Sequence, residues 1–89
     1  MAQAIVDPEE LREFARVLKK FNNELRDRAS TLGERLSELN ATWRDQEHRK
    51  FADAFDEHMR TLERFAEASD QYVPYLLRKA DHIENYLQS

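Results

Sequence analysis

The side chains of this 89-residue sequence with the most evident capacity for chemistry are three histidines and eighteen carboxylates. His48, His58 and His82 are far apart in the sequence. None has a second histidine three or four residues away, which is the spacing that lets one helix present two metal ligands. The sequence has no cysteine, so thiolate metal sites, disulfides and cysteine catalysis are excluded. We therefore predict neither a bound metal nor a cofactor.

The remaining polar residues do not form a catalytic pattern. The sequence contains no glycine-rich phosphate loop and no Ser/His/Asp arrangement that can be placed. Acidic and basic residues alternate along the chain, as they do on the solvated faces of helices. We predict that the protein is not an enzyme. His58 falls within an apolar pattern, where we expect an interface histidine whose protonation at about pH 6 would weaken a dimer.

Composition limits the fold and the partners. One glycine and two prolines, with 36% charged and 40% hydrophobic residues, favour long helices over a turn-rich β fold. A net charge of −4 argues against nucleic acid as a partner. No apolar run approaches the roughly 20 residues of a membrane span. Residues 1–7 lack the basic and apolar regions of a general secretory signal peptide. We predict one domain, residues 1–89, without membrane insertion.

The first helix is predicted over about residues 8–40. Asp7 can cap its start, Pro8 fits the first helical position, and two glutamates follow at the positive end of the helix dipole. Five leucines then recur at intervals of seven residues, with two phenylalanines beside the first of them. Gly33, inside this helix, indicates either the close approach of a neighbouring helix or a break, and we favour the close approach.

A turn is predicted at about residues 41–45, around the only tryptophan. Asn40 can end the first helix, and either Thr42 or Asp45 can cap the second. Trp43 has two interpretations. It could plug the end of a helical bundle, with its indole N–H reaching a backbone carbonyl, or it could anchor a patch that a partner recognises.

The second helix is predicted over about residues 46–87. Its apolar side chains form three adjacent rows at seven-residue spacing, a stripe wider than one partner helix covers. Pro74 lies inside this pattern and removes a helical hydrogen bond. It either kinks the helix near residues 70–74 or begins a separate helix. Since the apolar stripe continues beyond it, we favour a kink.

The fold class that follows is all-α: an antiparallel two-helix hairpin. Two helices cannot bury a three-row stripe between them, so we expect the hairpin to dimerise into a four-helix bundle. The residues predicted to form the bundle and dimer interface are Leu11, Phe14, Leu18, Phe21, Leu25, Leu32, Leu39, Phe51, Phe55, Leu62, Phe65, Leu76 and Ile83.

In length and layout the chain resembles the WXG (ESAT-like) family, small helical hairpins associated with type VII secretion. The family has Trp-X-Gly in the central turn and a phenylalanine eight residues after the tryptophan. The matching residues are Trp43, Arg44 and Asp45, followed by Phe51. The resemblance implies a non-enzymatic protein that pairs with itself or with a related hairpin and leaves the cell through a type VII-like route. It also implies a secretion ATPase as a candidate partner.

The sequence departs from the family in two places. Asp45 stands where the family has glycine, and aspartate can start a helix there instead. Family members or their partners often carry Tyr-X-X-X-Asp/Glu after the second helix. Here Leu76 follows Tyr72 at that spacing, and Lys79 follows Tyr75. A partner could supply this signal, a diverged system could read another, or the protein could be a cytoplasmic helical scaffold or antitoxin-like binding module that is not exported.

Overall fold

The computed structural model describes residues 6–88 and consists of two long helices. Helix α1 spans Pro8–Asn40 and helix α2 spans Gln46–Gln88. The helices pack antiparallel along most of their length and give a rod of 67 × 23 × 15 Å. No strand occurs within residues 6–88. The predicted all-α hairpin is confirmed. The prediction about a signal peptide concerns residues that lie mostly outside this range.

Local signals explain where α1 begins, and α2 continues through an internal proline. Asp7 caps α1, because its carboxylate accepts a hydrogen bond from the backbone N–H of Glu9 at 2.9 Å. Pro8 is the first residue of the helix, where it needs no hydrogen-bond partner. Helix α2 includes Pro74 within its span of 43 residues. A helix of that length extends about 65 Å at 1.5 Å per residue.

The seam between the helices is built from small side chains. The hydrophobic residues that are buried among those described are Ala15, Ala66 and Ala80, together with the polar residues Asn22 and Ser69. Small residues let two helix backbones approach closely, and the large side chains then lie on either side of the line of contact. Gly33 does not take part: no atom of a neighbouring element lies within 4 Å of a Cβ placed on it. Within the hairpin, the expected close approach at Gly33 is therefore wrong.

A polar cluster crosses the middle of the seam. The Asn22 side-chain amide donates to Asp70 Oδ1 at 2.9 Å, and the Arg26 guanidinium lies 2.8 Å from Asp70 Oδ2. Arg26 also lies 3.5 Å from the Glu63 carboxylate. The hydrogen bonds from Asn22 and then from Arg26 lower the pKa of Asp70 below its ordinary value. These contacts fix which residues of α1 lie opposite which residues of α2.

A second cluster ties the open end of the hairpin. The Arg12 guanidinium reaches Asp81 at 2.8 Å and Glu84 at 2.5 Å on α2, and Glu9 at 2.6 Å on its own helix. Hydrogen bonds to Asp81, Glu84 and Glu9 raise the pKa of Arg12 above its ordinary value. Arg12 therefore joins the start of α1 to the end of α2 through charged hydrogen bonds.

We predict that Asp70 makes stability depend on pH in the acid range. Its pKa is lower in the folded chain than in the unfolded chain, so its contribution is complete above the unfolded value of about 4 and is lost as pH falls through the folded value. The difference in stability between the wild type and Asp70→Asn should be constant above about pH 5 and shrink below about pH 4. Urea unfolding followed by circular dichroism measures it.

Asp53→Asn is the matched control, since Asp53 is an exposed carboxylate on α2 without an ion pair among those identified in residues 6–88. If the difference in stability between the wild type and Asp70→Asn stays the same from neutral pH to about pH 3, the prediction is contradicted, because the titrating group would then not be Asp70.

Candidate functional site

The thirteen residues predicted for the interface separate into two groups in the structure. One group is partly buried and lies along the seam: Leu11, Leu18, Leu25, Phe55, Leu62, Leu76 and Ile83. The other group is exposed: Phe14, Phe21, Leu32, Leu39, Phe51 and Phe65. The hairpin alone therefore covers more of the first group and leaves the second about half exposed.

The exposed group extends along one side of the hairpin. Phe21 on α1 and Phe65 on α2 meet edge to face, with their ring centroids 6.3 Å apart, and each is 49% exposed. Residues seven positions away continue the row on each helix, Phe14 on α1 and Tyr72 on α2. We call this surface the aromatic face and define it as Phe14, Phe21, Leu32, Leu39, Phe51, Phe65 and Tyr72.

Tyr72 is 58% exposed and belongs to the aromatic face, but it was missing from the predicted interface. Its position seven residues after Phe65 is the signal that could have placed it there. Val17 was also missing, and it is 49% exposed on α1. Sequence spacing identified the apolar rows but not the rotation of each helix, and the rotation decides which row stays exposed.

The second candidate site is the tip of the hairpin, where aromatic rings are in contact. The Trp43 ring lies 5.3 Å from the His48 ring and 5.6 Å from the Phe51 ring, measured between centroids. Phe51 in turn lies 5.8 Å from Phe55. These contacts connect the tip to the aromatic face through Phe51. Trp43 itself is partly exposed.

Asp45 organises the polar contacts of the tip. Its Oδ1 accepts the indole N–H of Trp43 at 2.8 Å and the backbone N–H of His48 at 3.2 Å. The second bond makes Asp45 the cap of α2. Thr42, the alternative cap, donates its hydroxyl to the Leu39 carbonyl instead, at 3.3 Å. The expectation that the indole would reach a backbone carbonyl is wrong, because it reaches the Asp45 carboxylate.

The histidines do not converge on one site. The His48 Nε2 is hydrogen-bonded to the side-chain oxygen of Asn40, so it links the start of α2 to the end of α1. His58 and His82 are exposed on α2. Among residues 6–88, no group of three or more histidine, aspartate or glutamate side chains is placed to hold a metal ion. No helix in that same range is long and apolar enough to cross a membrane.

Comparison with known proteins identifies the family. The family described as WXG100, proteins of 100 residues with WXG, matches residues 3–86. The chain belongs to the WXG100 family. Trp43-Arg44-Asp45 takes the place of the motif, with aspartate where the name of the family has glycine. A search of curated proteins found no match.

Solved structures support the fold. The secreted protein EsxB of Bacillus anthracis strain Sterne, labelled with selenomethionine, is 23% identical, with a TM-score of 0.76 over 97% of this chain and 98% of its own. Two single-site mutants of EsxB are similar. One is 24% identical with a TM-score of 0.76, over 96% of this chain and 98% of its own. The other is 23% identical with a TM-score of 0.77, over 97% of this chain and 96% of its own. At this identity the likeness establishes the helical hairpin.

Proposed function

We propose that this chain pairs through its aromatic face into a four-helix bundle and serves a type VII-like secretion system as a substrate or adaptor, without catalytic activity. The observation that carries the proposal is the contrast between the seam and the face. The hydrophobic residues buried among those described are alanines, whereas the large apolar side chains of the face are about half exposed. Membership of the WXG100 family supports the secretion role.

The size of the aromatic face supports a stable partner. A large aromatic side chain buries about 150–250 Å² when it is covered, so each half-exposed ring offers about 100 Å². The five aromatic residues of the face together offer roughly 500 Å², to which the half-exposed Leu32 and Leu39 add, and each partner contributes roughly 800 Å² to a stable interface. Burial of each such side chain contributes about 1–3 kcal/mol before the cost of association is subtracted.

The partner is a second copy of this chain or a related hairpin. Either one would present helices of similar length with an apolar row at the same spacing, and both produce a four-helix bundle. In a dimer of identical chains a two-fold axis relates the two faces, so each residue pair occurs twice. Phe21 and Phe65 lie near the middle of the helices and would then lie close to the axis.

The tip would contact the export machinery, with a secretion ATPase as the candidate partner. Trp43 is partly exposed, is held by neighbouring rings and lies at one end of the rod. Tryptophan is enriched among residues that dominate binding energy. Export would take the type VII-like route, with the partner hairpin supplying the Tyr-X-X-X-Asp/Glu signal, which neither Tyr72 nor Tyr75 begins.

The absence of this signal after Tyr72 and Tyr75 favours one alternative. A hairpin that stays in the cytoplasm as a scaffold or antitoxin-like module would use the same aromatic face to cover an amphipathic helix of another protein. It would need no export signal. The two functions share the face and differ in the role of the tip, so a substitution at Trp43 separates them.

We predict that Phe65→Asp prevents pairing. A carboxylate in the middle of the covered face would lose its hydration without gaining a partner, which costs several kcal/mol and weakens association at least about a hundredfold. The exposed position of Phe65 leaves the hairpin itself folded. Sedimentation equilibrium gives the mass, and circular dichroism reports the helix content.

Leu77→Asp is the control for this prediction. Leu77 is 41% exposed on α2, about a third of a helical turn away from the row that contains Phe65. It should retain the wild-type mass. A wild-type protein that has the mass of one chain and melts cooperatively would rule out pairing with itself. Equal loss of pairing in both variants would contradict the choice of face.

Export tests the secretion role. In the source organism, the wild-type chain should accumulate outside the cell, and deletion of the type VII ATPase should abolish this. Trp43→Ala should lower the extracellular amount while the purified variant keeps most of its thermal stability, because the ring is only partly buried. Equal extracellular amounts with and without the ATPase would exclude the secretion role. Equal loss of fold and export in Trp43→Ala would favour the plug interpretation.

A further inference from the structure

We propose that Asp45 is a positioning residue that fixes the orientation of Trp43 for recognition at the tip. Its Oδ1 accepts the indole N–H at 2.8 Å and the backbone N–H of His48 at 3.2 Å. The recognition step rests on the function proposed above. The orientation of the indole by Asp45 is a property of the chain itself and can be tested without a partner.

The geometry ties Trp43 to both helices. Its backbone N–H donates to the Leu39 carbonyl in the last turn of α1 at 2.9 Å. Its indole N–H donates to a carboxylate that also caps the first turn of α2. Hydrogen bonds to an ionised acceptor are about twice as strong as those between neutral groups. The backbone of Trp43 is thus fixed to one helix and its side chain to the other.

The neighbouring rings restrict the remaining motion of the indole. His48 packs edge to face against it at 5.3 Å, and Phe51 lies tilted against it at 5.6 Å. An aromatic side chain that is already fixed in one orientation loses less conformational entropy when a partner binds. The indole is therefore prepared for binding before any partner arrives.

A glycine at position 45 could not do this, because it has no side chain to accept the indole N–H. The backbone of the turn does not require glycine either, since no residue among 6–88 has a positive φ. Aspartate at this position therefore keeps the turn, caps α2 and adds a contact to the tryptophan that the glycine of the family motif does not provide.

Two substitutions separate the capping role of Asp45 from its contact with Trp43. Serine is a good helix cap, but its side chain is shorter and does not reach the indole. Asparagine retains an acceptor oxygen at the same distance from the backbone and can make both hydrogen bonds. Hydrogen exchange of the indole N–H and of the His48 amide, followed by nuclear magnetic resonance, reports the two contacts separately.

We expect indole exchange in Asp45→Ser to be about tenfold faster than in the wild type. His48 amide exchange should change by less than about threefold, since the cap persists. In Asp45→Asn both rates should stay within about threefold of the wild type. Glu47→Gln, which removes an acidic charge from the same first turn, should leave the indole rate unchanged. Indole exchange in Asp45→Ser as slow as in the wild type would overturn the proposal.

Binding tests the consequence for recognition. The probe is the purified cytoplasmic domain of the type VII ATPase of the source organism, titrated against the full-length chain and monitored by fluorescence anisotropy. Asp45→Ser should weaken binding about fivefold, less than Trp43→Ala, and Asp45→Asn should restore it. Unchanged affinity in Asp45→Ser, with Trp43→Ala weakened, would overturn the role of orientation in recognition. Unchanged affinity in Trp43→Ala would overturn the proposed function and leave the exchange result standing.

Discussion

The rest of the structure depends on the small number of side chains that two helices can bury between them. A pair of antiparallel helices has one line of contact, and here that line is occupied by alanines, one serine and one asparagine. The helices can come close because these side chains are small. The larger leucines and phenylalanines are consequently placed beside the seam, where they are half buried, or beyond it, where they are exposed. The exposed aromatic face is thus a geometric result of the seam rather than a separate feature.

A seam of small side chains gives little information about register, because alanine packs against alanine equally well after a shift of one turn. The polar contacts supply what the seam lacks. Asn22 reaches Asp70, and Arg12 reaches the acidic residues near the end of α2. Ion pairs at a protein surface contribute little to stability, but a shifted register would leave these groups unpaired. Their main effect is therefore to select one alignment of the two helices.

Much of this fold could be predicted from the sequence, because its signals are local. Asp7 and Pro8 mark the start of α1, and the recurring leucines and phenylalanines mark the helical stripes. The burial of Asn22 could not be predicted, because it depends on a partner that is distant in the sequence. The separation of the predicted interface into a partly buried group and an exposed group could not be predicted from the sequence either. It follows from the rotation of each helix about its axis, which the small seam residues set.

The tip shows the same division between local and distant information. The sequence left Thr42 and Asp45 as equal candidates for the cap, because both residue types cap helices. The structure distinguishes them by a contact with a third residue, since only the Asp45 carboxylate also meets the indole of Trp43. The replacement of glycine by aspartate in the motif therefore changes more than backbone freedom. It converts a turn residue into an acceptor that couples the direction of the indole to the first turn of α2.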